Sequence, residues 1–312
     1  MSALKVFIHT NSQQMVGALA AKYSFFKNSA HADRFDVEII NYDDYPILRE
    51  MNGRQYLRKG QKATWHSEDL QSFSVLRFLP PQLMNYSGRA VVVDPDVFAV
   101  GDIYELLTRD MKDFSVMARL YPHVKKKKVF ASSVMLFDCE KLKHWDWQKD
   151  IQNLFDFKFD YGDWIFLLRE QAGRVGELES YWNDLDVLTE KTKLLHTTER
   201  LTQPWKTGLD IDFNMNLPKT PRSGPVKFKP INFKERLRSW LLGGQTIYGP
   251  GGVYQRHPEA NVEEFIYKLF SDCMKEGFLD PKTLTAEIEK KNVRSDMFQV
   301  LNKYGIENYE SL

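Results

Sequence analysis

Cysteine is almost missing from this chain: Cys139 and Cys273 are the only two in 312 residues. Two thiols so far apart make neither a disulfide framework nor a zinc-ligand pattern, and they fit a reducing compartment. Long hydrophobic runs are missing too. No apolar stretch reaches the ~18 residues that a membrane-spanning helix needs, and "MSALKVFIHT" enters a strand too early for a secretion signal. Neither sign of charge is in excess. Lys and Arg number 43 against 42 Asp and Glu, so no global field argues for nucleic acid as a partner. There are no internal repeats or low-complexity tracts. The expectation is a soluble, cytoplasmic chain, long enough to bury a sizeable core as one large domain or one domain with an appendage. Its aromatics (21 Phe, 14 Tyr and 7 Trp) belong mainly to that core.

The order of elements points to an α/β class. "LKVFIHTNSQQ" gives a short strand, Val6 to Ile8, that stops at a polar loop containing His9, Thr10, Asn11 and Ser12. A helical stretch follows, with Met15, Leu19, Tyr23 and Phe26 at helix spacing, and then a second strand, "FDVEIINYDD". Strands joined by helix-like connections imply a mostly parallel sheet that binds ligands at the carboxyl ends of its strands. "SEDLQSFSVLRFLPPQLM" reads as a helix capped at Ser67, with Leu70, Phe73, Leu76 and Arg77 in its body and Pro80 ending it. "GDIYELL" reads as a short amphipathic turn, and "FSVMARL" and "VFASSVMLFDCEKL" as further strands. Four prolines between Pro218 and Pro230 mark a linker or a surface-crossing segment, and "YGPGGVYQRHP" (248–258) a Gly-rich loop. The tail is helical: Val262, Phe265, Ile266, Leu269, Phe270 and Met274 share a face, Gly277 follows the last turn, and Asp280-Pro281 opens another helix. This divides the chain into 1–217 and a linker with a helical C-terminal region, 218–312.

Chemistry concentrates in "RAVVVDPDVFAVGDIYEL" (89–106). Val91 to Val93 read as a strand buried on both faces, and it ends in Asp94-Pro95-Asp96. Two carboxylates one residue apart can converge on a hard divalent cation, or they can be solvated acids on a capped turn; their place at a strand end favours a ligand. A phosphohydrolase of the haloacid-dehalogenase type also carries such a motif, but on its first strand, whereas here two βα-like units precede it. His196 follows Leu194-Leu195 at a strand end, where it is either a satisfied structural residue or the ligand that the two acids lack. Arg77, one helix away, is either solvated or the partner of phosphate oxygens. Asp160 and Asp163 precede an aromatic-rich helix, with Asp163 as its N-cap.

Taken in order, the polar first loop, "RFLPP…YSGRAVVVDPDVFAVGDIYELL", "SSVMLFDCEKL", "GDWIFL" and "LLHTTERLTQPW" resemble the family 8 glycosyltransferases, over roughly residues 4 to 210. The resemblance implies a GT-A fold: a nucleotide-binding α/β domain with a mostly parallel central sheet, here with a helical C-terminal extension. It implies transfer of a sugar, with retention, from a nucleoside diphosphate donor, usually a UDP-sugar. Mn²⁺ or Mg²⁺ would be held by Asp94, Asp96 and His196. His9, Thr10 and Asn11 match the uridine loop, Arg77 a basic position near the donor phosphate, and Asp163 a position at the reacting centre. A cation aimed at the leaving diphosphate is what cleavage of a sugar–phosphate bond requires.

Departures from the family pattern are specific. Ala131-Ser132-Ser133 stands where the family often writes Asn-Ser-Gly, and Asp163-Trp164 where it writes Asp-Gln. A family Gly and Lys that contact the diphosphate fall near position 199 and at Gln203, with Lys206 or Arg200 as candidate replacements for that Lys. A catalytically silent protein that binds a sugar nucleotide or glycan on the same scaffold is therefore the alternative. Two charge features complete the reading. Lys125 to Lys128 form a loop that is solvated or closes over phosphates. Residues 219–242 carry Lys219, Arg222, Lys227, Lys229, Lys234, Arg236 and Arg238 ahead of Trp240-Leu241-Leu242, which suits either a packed surface segment or peripheral contact with an anionic membrane bearing a lipid-linked acceptor. The acceptor is a glycan, lipid-linked or protein group that the sequence does not name.

Overall fold

The computed structural model describes residues 3–67, 69, 72–121, 129–198, 202–210 and 253–305. The first half alternates strand and helix: β1 (Leu4–Thr10), α1 (Met15–Lys27), β2 (Asp36–Asn41) and α2 (Pro46–Glu50). A hairpin of β3 (Gln55–Arg58) and β4 (Gln61–Thr64) leads to a 3₁₀ segment, Ser72–Phe78, and to α3 (Pro80–Leu83). Then come β5 (Arg89–Val93), β6 (Val97–Ala99), α4 (Ile103–Leu107), β7 (Val116–Leu120), β8 (Phe130–Asp138), α5 (Trp147–Phe155) and α6 (Tyr161–Ile165). The remaining elements are β9 (Val175–Leu178), β10 (Asp184–Leu185), β11 (Leu194–His196), α7 (Ala260–Lys275), α8 (Pro281–Glu289) and α9 (Met297–Asn302).

The central sheet has the order β2-β1-β5-β8-β7-β9. Five strands run one way and β8 runs against them, so the sheet is mostly parallel, as the sequence implies. β5 lies between β1 and β8 with Val91, Val92 and Val93 fully buried, which is why its β-branched run is uninterrupted. A second, small sheet, β10-β11-β6, sits at the carboxyl end of β5. It is formed from the continuation of the Asp94-Pro95-Asp96 turn, and it positions the site.

Several elements differ from the sequence reading. No α-helix runs from Ser67 to Pro80: residues Ser72–Phe78 form a 3₁₀ segment, and Pro80 begins α3 rather than ending a helix. Pro80 and Pro81 lack the N–H groups that a continuous helix would need, whereas at the first positions of a new helix those donors are not missed. Ser67 instead donates its backbone N–H to Asn52 Oδ1. "GDIYELL" is a helix, α4, capped by Asp102. α1 shows no single apolar stripe: Val16, Gly17, Ala18, Ala20, Ala21, Tyr23, Ser24 and Phe25 are all buried. The sheet covers one side of it and α7 the other, and its small residues allow both approaches.

The C-terminal helices share the core of α1 and β1. Val262, Ile266, Leu269, Phe270, Cys273 and Met274 of α7 join Val6, Ile8 and Val16 in one apolar cluster. Trp205 stacks on Phe270 with ring centroids 5.5 Å apart. Gly277 closes α7 at φ +76, and Asp280 caps α8 by accepting from the Thr283 N–H at 2.9 Å, both as the sequence indicates. No helix among the described residues is long and apolar enough to cross a membrane. The lysine run 125–128, the Pro-rich segment 218–230, the basic stretch 219–242, residues 248–252 of the Gly-rich loop, Leu70, position 199 and Arg200 lie outside the described residues.

Candidate metal and donor site

β5 ends at Val93, and the chain turns at Asp94-Pro95-Asp96, closed by Val97 N–H donating to the Asp94 carbonyl at 3.2 Å. β6 starts immediately afterwards and pairs antiparallel with β11, in a register that sets His196 opposite Val97. Thr197 N–H then donates to the Asp96 carbonyl at 3.0 Å. A hundred residues of sequence separation are thereby closed by one ladder. His196 Nε2 lies 3.4 Å from Asp96 Oδ1 and 3.8 Å from Asp94 Oδ2, and one ligand atom from each of the three residues falls within 4.8 Å of the others. The structure thus brings together the predicted metal set.

The groups around the set fix its state. Asn183, fully buried, accepts from His196 Nδ1 at 2.9 Å and donates through Nδ2 to Ser133 Oγ at 2.9 Å. The Nδ1 proton is occupied there, so Nε2 is the nitrogen turned toward the carboxylates. Burial alone would lower the His196 pKa, but Asp96, then Asp94 and Asp186, outweigh it and raise it. Burial alone would raise the Asp94 carboxyl. Arg77, with His9 and His196, overrides this and holds it well below the usual carboxylate range.

Arg77 forks onto Asp94, with Nε at 2.9 Å from Oδ1 and Nη2 at 2.5 Å from Oδ2, and its Nη1 donates to Ser132 Oγ at 3.0 Å. His9 Nε2 lies 2.8 Å from Asp94 Oδ1. Burial keeps the His9 imidazole below its ordinary pKa. The same Nε2 lies 3.1 Å from Arg77 Nε, while Nδ1 is buried and has no hydrogen-bond partner among the described residues. Arg77 is therefore no solvated surface residue. It is one helical element away in sequence and in direct contact with Asp94.

Other predicted residues are placed differently. His9 and Thr10 belong to β1 rather than to the loop after it, because the strand runs on through Thr10. Thr10 Oγ1 donates to the Asn11 carbonyl, and Asn11 Oδ1 accepts from the Gln14 N–H at 3.1 Å, capping the 3₁₀ turn Ser12–Gln14. Gln14 is buried, and neither of its amide atoms has a partner among the described residues, an unsatisfied polar pair at the strand end. Asp163 does not cap α6. Asp160 does, accepting from Gly162 N–H at 2.7 Å, while Asp163 lies inside the helix and faces an open cleft of ≈ 540 Å³ with Lys59, Gly60 and Phe166. Among the described residues no hydrogen bond or ion pair joins Asp163 to the metal set. Trp164 is buried, stacked on Phe78 with centroids 4.7 Å apart, so its ring fills the core. Lys206 is fully buried with Nζ 5.4 Å from the centroid of the Tyr254 ring.

Sequence reasoning missed Asn183, the structural use of Ser132 and Ser133, and an adjoining lock. Asp186, at φ +56, accepts from Thr198 Oγ1 and from His257 Nε2 at 3.2 Å, and donates its N–H to the His196 carbonyl at 2.9 Å. It ties the segment after β11 to the C-terminal region. No local pattern in "SYWNDLD" announces either residue.

The donor set fits a divalent cation: two carboxylates and an imidazole with its other nitrogen satisfied, at a strand end. With His196 neutral, Asp94, Asp96 and Arg77 sum to one negative charge, which a divalent ion reverses.

No protein-family model and no curated protein sequence matches the chain. Among solved structures, it is similar to the galactosyltransferase LgtC in complex with donor and acceptor sugar analogs, at 14% identity, covering 64% of this chain and 89% of that one with a TM-score of 0.44. The glycosyltransferase GlyE of Streptococcus pneumoniae TIGR4 is also similar, at 14% identity, 65% of this chain, 56% of that chain and a TM-score of 0.44. Mouse xyloside xylosyltransferase 1 matches at 13% identity, 63% of this chain, 98% of that chain and a TM-score of 0.41.

Proposed function

We propose that this protein is a glycosyltransferase that takes a sugar from a nucleoside diphosphate donor, a UDP-sugar, and transfers it with retention to a glycan or lipid-linked acceptor. The observation that carries the reading is the β6–β11 register, which sets His196 against both acids of the Asp94-Pro95-Asp96 turn. Solvated acids on a capped turn would not meet a buried imidazole held in one orientation by Asn183. Asp94, Asp96 and His196 would hold Mn²⁺ or Mg²⁺, which when bound supplies positive charge to the leaving diphosphate. Arg77 would share that anion, a role supported by its guanidinium lying against Asp94. The buried polar groups at the end of β1, Asn11 and Gln14, are the candidates for the base. A basic stretch at 219–242 would serve acceptors at a membrane surface.

The test is release of UDP from UDP-sugars in the presence of Mn²⁺. EDTA should abolish release and added Mn²⁺ restore it, and UDP should bind more tightly than GDP by calorimetry. Full release in EDTA would overturn the metal mechanism. Binding of the donor without release would identify a silent sugar-nucleotide-binding protein.

A further inference from the structure

One buried side chain at the site has a contact but no accounted role. Gln203 is 2% exposed. Its Nε2 lies 3.3 Å from Asp96 Oδ2, and its buried Oε1 has no hydrogen-bond partner among the described residues. A desolvated amide oxygen left unpaired is costly, so its natural partner is an incoming electrophile or donor.

Half a turn of the terminal torsion exchanges the two ends of the amide. Oε1 then occupies the place of Nε2, beside Asp96 Oδ2. Two oxygens at such a separation repel unless a cation lies against both. Neighbouring ligands of a six-coordinate ion with ~2.2 Å bonds are ~3.1 Å apart, close to the 3.3 Å spacing from Gln203 to Asp96 and the 3.4 Å spacing from His196 to Asp96. Asp96 thus offers one oxygen toward His196 and the other toward Gln203.

We propose that Gln203, through its amide oxygen, is a further ligand of the cation held by Asp94, Asp96 and His196. The inference rests on the metal reading of that site. Its backbone is already fixed for the task. The Gln203 carbonyl accepts from Lys206 N–H at 2.9 Å in a 3₁₀ turn that follows at once, Pro204–Lys206. Tyr267 of α7 donates its hydroxyl to the Pro204 carbonyl at 3.0 Å, and Arg294 donates its backbone N–H to the Trp205 carbonyl at 2.8 Å. Only the amide head needs to turn, so little ordering entropy opposes ligation. A neutral oxygen also completes the shell without adding a third negative charge beside Asp94 and Asp96.

The experiment is calorimetric titration of Mn²⁺ in the presence of UDP, on the full chain and three variants. Gln203→Leu should weaken Mn²⁺ binding by at least about tenfold. Gln203→Glu, which keeps an oxygen and adds charge, should bind Mn²⁺ at least as tightly as the parent. Unchanged affinity in Gln203→Leu, or weakened affinity in Gln203→Glu, overturns the proposal. Asp96→Asn separates the two layers: if it too binds Mn²⁺ like the parent, the metal reading itself has failed and this ligand fails with it. A crystal structure of the parent protein with Mn²⁺ needs no variant. It should show Oε1 about 2.0–2.3 Å from the ion, and Nε2 still turned to Asp96 in that structure would overturn the assignment.

Discussion

Asp94 and Asp96 stand one residue apart, yet their surroundings are opposite. Asp94 has both oxygens taken by the Arg77 fork and a third contact from His9. Asp96 faces an amide at 3.3 Å and an imidazole at 3.4 Å, both long for firm bonds. One half of the site is complete before any ligand arrives, and the other is spread to the spacing of a coordination shell. The difference teaches a division of labour. The Asp94 half is held by a cationic side chain, and the Asp96 half leaves its carboxylate with only long contacts.

The comparison breaks most sharply at Asp96. Asp96→Asn keeps the shape and removes the charge that is not already spoken for, so metal-dependent UDP release should fall by at least about a hundredfold. Circular dichroism and melting temperature should stay near those of the parent, because no cavity opens at a strand end. Retained turnover in that variant would mean that the half facing His196 has no catalytic use.

A smaller effect is expected one step further out. Asn183→Ala removes the acceptor that holds His196 Nδ1–H, and freeing the ring should lower Mn²⁺ affinity by about tenfold to a hundredfold. Asn183→Asp, which keeps an acceptor, should restore most of it. An Asn183→Ala protein with parental affinity would show that the carboxylates alone orient the imidazole.

The smallest change tests the Asp94 half and has two signs. Arg77→Ala should weaken UDP-sugar binding by about tenfold or more, the worth of a charge-assisted hydrogen bond of roughly 1.5–3 kcal/mol. Mn²⁺ without nucleotide should bind more tightly to the same variant, since Asp94 no longer has a competing cation. If both affinities fall together, Arg77 supports the fold of the turn and does not compete with the ion.

Much of this architecture was legible from residue order. The buried run Val91–Val93, the acids after it and the strand-end His196 are local signals, and the structure unites them. The α7 face and the caps at Gly277 and Asp280 were legible for the same reason. What was illegible depends on partners distant in sequence. Asn183 is an ordinary polar residue until β10 and β11 bring it to His196. On α1 the spacing marked the helix correctly but not its buried side: of Met15, Leu19, Tyr23 and Phe26 only Tyr23 is buried, because small residues such as Ala18, Ala20 and Ala21 make the close contacts. At α6 the signal was present and assigned to the wrong acid: Asp160 and Asp163 are three residues apart, the spacing of a capping pair, and only the first of such a pair is the cap. Pro80 reads in sequence as a helix end, and in the structure it opens α3.

α1 meets the acidic turn at a position with no room to spare. A Cβ added to Gly17 would lie 2.8 Å from the carbonyl oxygen of Pro95 and 3.2 Å from Cζ2 of Trp205. Pro95 is the residue between the two acids, and Trp205 is stacked on α7 through Phe270. The bite of the carboxylate pair is therefore set by a clearance between three parts of the chain that are remote in sequence. Any drift that thickens residue 17, or withdraws the tail from Trp205, is transmitted as a change of angle at Pro95. Gly17 thus matters to the site without touching any ligand: it acts as a gauge that keeps the jaws of the site at a fixed opening.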